Sequence, residues 1–295
     1  MEATSLVERI SASLPSLSPA EQRVAGFFQR NREQVLMASA STLAVEVGVS
    51  DATVIRATKA LGFAGLGELR RAVAAELKED LSPASRLART LRDVGDDLQA
   101  AFDVTLDIHQ KSLESLRKDV SSERFRAAIE HIVGARRVAV FGIGPSSAMA
   151  DYFSLQLGRF GIDSFTLTDT GLLLADGIKR LSEGDLLFMF AYTRVYRELV
   201  VLLDQAERRR VSRILVSDTL GRELGKRVDL VLDVARGRAE MLSMHTATVG
   251  LIEALLVGVA TKHPESILSN LRRLNDLRTE LIGESFDPPT SRTDA

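Results

Sequence analysis

Two stretches combine residue types and spacings that can do chemistry. The first is Ser50-Asp51-Ala52-Thr53-Val54-Ile55-Arg56-Ala57-Thr58-Lys59. Ser50 is placed to cap a helix from Asp51 to about Leu61, because its hydroxyl can accept an orphan N-terminal amide hydrogen bond. Val54, Ala57 and Leu61 then recur as an inner face. Ser50, Asp51, Thr53, Arg56 and Lys59 fall on the outer face, with side chains that can reach base edges or phosphates of double-stranded DNA. Just upstream, Ser41 is positioned to cap a helix over 42–47, with Leu43, Ala44 and Val47 inward, and Gly48-Val49 supplies a tight turn. Two short helices joined this way form a helix-turn-helix, whose second helix enters the major groove. A surface helix pair within an all-α bundle would carry the same pattern. Arg70 and Arg71 extend the basic patch around Arg56 and Lys59.

The second stretch is Phe141-Gly142-Ile143-Gly144-Pro145-Ser146-Ser147, after a Val-rich run and before a helical one. Gly142 and Gly144 let the backbone turn tightly and approach a ligand. A helix start offers free amides and a positive dipole end, which suits an anion, and Ser146 and Ser147 add hydroxyls. The third glycine of a dinucleotide site is lacking. An ordinary strand-to-helix turn could use the same residues. No cofactor is implied.

Enzymatic proton transfer at such a site would need a general base poised over a substrate carbon. His245 and Glu253, in a late apolar stretch, are the candidates for it. His109, His131 and His263 are scattered and suggest no metal cluster, so neither catalytic nor metal residues are assigned.

Two kinds of periodicity must position these groups. Up to Asp80 the pattern is helical, and Ser18-Pro19-Ala20-Glu21 combines a cap, a first-turn Pro and a capping box. Ser82-Pro83 opens a further helix. Leu87, Leu91, Val94, Leu98, Phe102, Thr105 and Ile108 form a long three- and four-residue stripe that could face a partner subunit or its own neighbouring domain. Another helix starts at Ser121-Ser122 and runs through Ile132. From Arg137 five short apolar runs (VAVFG, DSFTL, DLLFMF, RILVS, DLVLDV) alternate with helical stretches, the signature of a parallel sheet covered on both faces. In such sheets ligands sit beyond the carboxyl ends of the strands, here among loops 142–147, 168–171, 191–196 and 217–221. A long apolar helix over 241–260 and an amphipathic one through Leu281 follow, then a tail, FDPPTSRTDA, of disordered composition.

The fold class expected is therefore α + α/β: an all-α helix-turn-helix domain followed by a doubly wound parallel α/β sheet domain. The chain of 295 residues suits two domains, and 45% hydrophobic with 26% charged residues is a globular balance. Net charge of −2 argues against a chain that coats nucleic acid non-specifically and leaves room for a small basic reading head. There is no Cys, hence no disulfide. With no signal-peptide pattern and no apolar run long enough to span a bilayer, a cytoplasmic location without membrane association is expected.

The order of these features resembles the RpiR/MurR-type transcription regulators, which join a helix-turn-helix domain through a helical linker to a sugar isomerase (SIS) domain. The resemblance rests on LSPAEQRVAGFFQRN, on LAVEVGVSDATVIRATKALGFAGLGELR with its Gly62-Phe63-x-Gly65 follow-on, and on FGIGPSSAMA and SDTLG. It implies a transcriptional regulator in which a helix-turn-helix domain (1–80), a linker (81–122), an SIS effector and oligomerisation domain (123–282) and a tail (283–295) cooperate. It also implies a DNA operator and a small anionic sugar or sugar-phosphate effector as partners. A homodimer or homotetramer is expected because two heads read two half-sites. One departure stands out. The family's second loop, Ser-x-Ser-Gly-x-Thr, is Ala191-Tyr192-Thr193-Arg194-Val195-Tyr196 here, keeping a hydroxyl at Thr193 and replacing the glycine by Arg194. Arg194 could grip an anion by charge where relatives use hydroxyls, or it could point into solvent. The effector site expected is Gly142, Gly144, Ser146, Ser147, Thr193 and Arg194.

Overall fold

A computed structural model describes residues 6–80, 82–192, 194–238 and 241–283. By internal contacts the chain divides between Asp93 and Val94 into two compact units, the first also taking in Met241 and Leu242.

The first unit is helical: α1 (Leu6–Ser13), α2 (Pro19–Arg30), α3 (Arg32–Met37), α4 (Ala40–Val47), α5 (Asp51–Ala60), α6 (Leu66–Asp80) and α7 (Pro83–Val94). The capping box at α2 forms as its sequence dictates, Ser18 accepting from the Glu21 amide while the Glu21 carboxylate accepts from the Ser18 amide. Leu43, Val54, Ala57, Leu61, Phe28 and Val24 meet in one apolar core. Helix α4 starts two residues earlier than expected. Its cap is Ser39, whose Oγ accepts from the Thr42 amide at 3.1 Å, and Ser41 instead joins that hydroxyl cluster from within the helix. Ala40 and Ser41 both tolerate helix, so the upstream hydroxyl takes the cap. Gly48 ends α4 at φ +70°, a left-handed conformation that suits glycine, and the Val49 amide returns to the Ala44 carbonyl.

The second unit holds α8 (Leu98–Asp119), α9 (Ser122–Gly134), β1 (Val138–Gly142), α10 (Pro145–Arg159), β2 (Ser164–Leu167), α11 (Leu174–Lys179), β3 (Leu186–Phe190), α12 (Arg197–Arg208), β4 (Ser212–Ser217), α13 (Gly221–Leu224), β5 (Leu230–Asp233), α14 (Thr246–Lys262) and α15 (Pro264–Ile282). All five apolar runs are strands, paired in parallel in the order β2-β1-β3-β4-β5. Side chains alternate across the sheet. Val138, Val140, Phe188 and Phe190 pack with α9, α10 and α14 on one face, whereas Ala139, Phe141, Leu187 and Met189 pack with α11, α12 and α13 on the other. This is the doubly wound α/β domain expected.

Two boundaries differ from expectation. The stripe from Leu87 to Ile108 is not one helix: α7 ends at Val94 and α8 begins at Leu98, capped by the Asp97 carboxylate on the Gln99 amide. Gly95 between them is left-handed at φ +71°, and the apolar spacing stays in phase across the break. The late apolar helix begins at Thr246 rather than Met241. Among the described residues no helix is long and apolar enough to cross a membrane, and no group of His, Asp and Glu could hold a metal. Residues 284–295 of the tail lie outside the described residues.

Candidate functional site

At the proposed DNA-reading helix, Ser50 caps α5, accepting from the Thr53 amide at 3.3 Å. Ser50, Asp51, Arg56 and Lys59 are exposed. Thr53 is not on the outer face: it is 6% exposed, with its hydroxyl 2.9 Å from Ser50 Oγ and 3.0 Å from the Arg56 guanidinium, to which it is acceptor. Three residues on from the cap, its short side chain folds back over the first turn. Arg56 is outward, yet its guanidinium also lies 3.9 Å from the Glu21 carboxylate of α2. The hydrogen bonds from Ser18, and then the Arg56 charge, hold Glu21 below the usual carboxylate range. Arg70 leaves the basic patch: its guanidinium donates to the Val35 carbonyl at 3.1 Å and to Ala38. Arg71 stays exposed.

In the second unit a cleft of about 400 Å³ opens where the chain leaves β1 for one side of the sheet and β3 for the other. Divergence of the loops at that point is what makes a crevice in an open parallel sheet. Gly142 is required here, since a Cβ would stand 2.4 Å from the Ser146 carbonyl oxygen. Gly144, at φ +61°, caps α10 and lines the cleft with Ser146. Ser146 is 6% exposed and its hydroxyl makes no hydrogen bond to the described residues. Ser147 spends its hydroxyl on the Gly144 carbonyl at 2.8 Å, so it completes the turn. Thr193 lies outside the described residues. Arg194 is exposed and is not among the residues lining the cleft.

The lining residues outside the expected site include Arg236, Glu198 and Tyr192. Arg236 follows β5. Its Nε is 3.5 Å from the Asp218 carboxylate and its guanidinium carbon lies 4.2 Å from the Tyr192 ring centroid. Glu198, in the first turn of α12, accepts from the Gly171 amide at 3.3 Å. Tyr192, expected only as part of an altered loop, donates or accepts across 2.7 Å to Thr248, and desolvation raises its phenol above the ordinary range. Among the described lining residues Arg236 is the one cation and Glu198 the one carboxylate.

The two candidate bases do not line the cleft. His245 sits behind Tyr192, its ring 5.6 Å away and edge-on, with Nδ1 3.2 Å from the Thr248 hydroxyl. Burial, then the Arg236 charge, pushes it down to about 4. Its Nε2 is buried without a hydrogen-bond partner among the described residues. Glu253 is exposed on α14 and accepts from the Tyr152 hydroxyl at 3.3 Å.

A helix-turn-helix unit and a doubly wound unit with a switch-point cleft define a class of two-domain proteins. Residues 4–80 match the helix-turn-helix domain of the rpiR family, and residues 131–258 match the SIS domain. The chain thus joins a helix-turn-helix domain of the rpiR family to an SIS domain. Its relatives include the "Bifunctional protein glk" of Burkholderia orbicola, 28% identical over 94% of this chain and 44% of that one. The chain thus spans less than half the length of that relative. An uncharacterized HTH-type transcriptional regulator of Caldanaerobacter subterraneus is 24% identical over 89% of this chain and 93% of its own. Among solved structures, the sugar isomerase domain of an RpiR transcription factor from Sphaerobacter thermophilus is 26% identical, covering 59% of this chain and 97% of that one at a TM-score of 0.54. The Vibrio vulnificus NanR protein complexed with ManNAc-6P is 21% identical, covering 94% and 99% at a TM-score of 0.59, and shares the fold.

Proposed function

We propose that the chain is a DNA-binding transcriptional regulator whose operator binding is modulated by a sugar phosphate or other anionic sugar-like effector held in the SIS cleft. The observation that carries this reading is the pairing, in one chain, of a helix-turn-helix whose second helix offers Ser50, Asp51, Arg56 and Lys59 outward with a cleft at the sheet's switch point. Gly142, Gly144 and the unbonded hydroxyl of Ser146 supply the close backbone, helix start and donor that an anion needs. That the NanR structure of like fold is a complex with a phosphorylated sugar supports the same effector class.

A sugar-phosphate isomerase is the second reading, favoured by Glu198, a carboxylate on the cleft wall. Against it stand the positions of His245 and Glu253 outside the cleft lining and a head that an isomerase does not need. The protein acts without enzymatic turnover, in the cytoplasm, as a homodimer or homotetramer, with a head (1–80), a helical linker (81–122), an effector and oligomerisation domain (123–282) and a tail (283–295). The deciding experiment is a footprint on DNA flanking its own gene, run with and without candidate anionic sugars, beside an aldose–ketose conversion assay on the same sugars. Protection altered by a sugar that is not converted supports the regulator. Conversion without protection establishes the isomerase.

A further inference from the structure

The cleft has opposite charges anchored at opposite ends of the sheet. Glu198 is tied to Gly171, in the loop after β2, at one edge of the five strands. Arg236 is tied to Asp218, in the loop after β4, toward the other edge, and is flattened on Tyr192. Between them, after β1, lie the start of α10 and Ser146, a residue 6% exposed that lines the cleft and whose hydroxyl is unbonded to the described residues. A carboxylate only accepts hydrogen bonds, so the Glu198 end takes hydroxyl or amide donors and repels an anion. A guanidinium only donates, and beside a helix start it favours one.

We infer that the cleft is polar along its length and selects a sugar with a single anionic end, the anion held between Arg236 and Ser146 and the hydroxyl end read by Glu198. Arg236, rather than Arg194, supplies the charge that compensates for the altered loop at 191–196. The ion pair with Asp218 and the Tyr192 face fix the guanidinium before ligand arrives, so little ordering is required on binding. A sugar anionic at both ends must bring one anion to Glu198 and is rejected. This inference rests on the cleft being the effector site.

The test uses the full chain and four probes differing only in their ends: glucose, glucose 6-phosphate, gluconate and 6-phosphogluconate, with the matching pentose series run beside them. Affinities are measured by titration calorimetry for the wild type and for Ser146→Ala, Arg236→Gln, Arg236→Lys, Arg194→Ala and Glu198→Gln. Expected for the wild type is a singly anionic sugar binding at least about tenfold more tightly than its neutral and doubly anionic counterparts. Arg236→Gln should weaken that sugar about tenfold or more, Arg236→Lys less, and Arg194→Ala should leave it unchanged. Glu198→Gln should weaken the singly anionic sugar and strengthen the doubly anionic one. Arg236→Lys keeps the charge, so failure of Arg236→Gln to fold leaves the question open to Arg236→Lys and Glu198→Gln. If no probe binds, or Ser146→Ala leaves a bound sugar unaffected, the cleft is not the effector site and both readings fall. If Ser146→Ala weakens binding while Arg236→Gln does not, or both end types bind alike, the effector site stands and the charge polarity is overturned.

Discussion

In the proposed reading, Arg56 would meet DNA from a prepared position. Its guanidinium is steadied by the Thr53 hydroxyl at 3.0 Å and by Glu21 at 3.9 Å, while its side chain stays 63% exposed. Arg56→Ala should weaken operator binding by about 1–3 kcal/mol if it reads a base, with fold stability changed by no more than about 0.5 kcal/mol. A gel-shift titration checks this, and unchanged affinity for both Arg56→Ala and Lys59→Ala removes α5 as the reader. His245 makes a second residue-scale prediction. Burial favours its neutral form, so its folded value of about 4 lies below the ordinary 6.5. The unfolded chain therefore binds more protons between those values. Stability from this residue is complete above about pH 6.5 and declines as pH falls toward 4. Urea midpoints for wild type and His245→Gln should diverge at neutral pH and converge as pH drops through that window, and parallel curves would contradict it. At this scale legibility depended on local pattern. Ser50 and Ser146 were marked by their place at helix starts, but Arg236 was not. Its place on the cleft wall comes with contacts to Asp218 and Tyr192 on two other strands' loops, which no spacing along the chain records. Thr53 and Arg70 read as available polar groups, and only packing shows that the fold uses them.

At the scale of elements, the five strands were visible because strands buried on both faces are nearly continuous apolar runs. Helix starts were visible where cap, Pro and Glu agreed, as at Ser18. They were ambiguous where hydroxyls cluster, as at Ser39-Ala40-Ser41-Thr42. The structure gives the cap to Ser39, so Ser39→Ala should cost about 0.5–2 kcal/mol in denaturant unfolding and Ser41→Ala only a few tenths. The reverse order would restore the shorter α4. The break at Gly95 leaves no mark in the hydrophobic period, which continues in phase across it. The turn from β1 into α10 leaves no room for a side chain at Gly142. A Cβ on Gly142 would lie 2.4 Å from backbone oxygen, which no side-chain rotation relieves. Gly142→Ala should therefore destabilise the protein by about 1–3 kcal/mol and abolish stabilisation by any cleft ligand. A thermal melt with and without ligand measures both. A melt unchanged from wild type would mean that the junction yields more than its packing allows.

For the whole molecule, the question is what covers α8. Ile108 and Ser112 face its own unit, but Leu98, Phe102, Leu106 and Leu113 are all exposed, at 87%, 59%, 51% and 43%. Those positions recur at four and seven residues, so they form one stripe on one side of the helix. An apolar stripe of this length on a helix that otherwise carries Asp103, Asp107, Lys111 and Glu114 is the pattern of a helix that packs against a partner. The regulatory reading asks for a partner independently, because one head contacts few base pairs and two heads on one operator gain both affinity and specificity. A second copy of this chain meets both demands with a closed, two-fold contact. The expected outcome is a homodimer at least in sedimentation at micromolar concentration. Phe102→Glu with Leu106→Glu should shift it to monomer with its circular dichroism unchanged, since neither side chain is buried in its own unit, and should weaken operator binding through loss of the second head. A wild-type chain that sediments as a monomer and still binds operator tightly would show that one head suffices, and the stripe on α8 would then need another explanation.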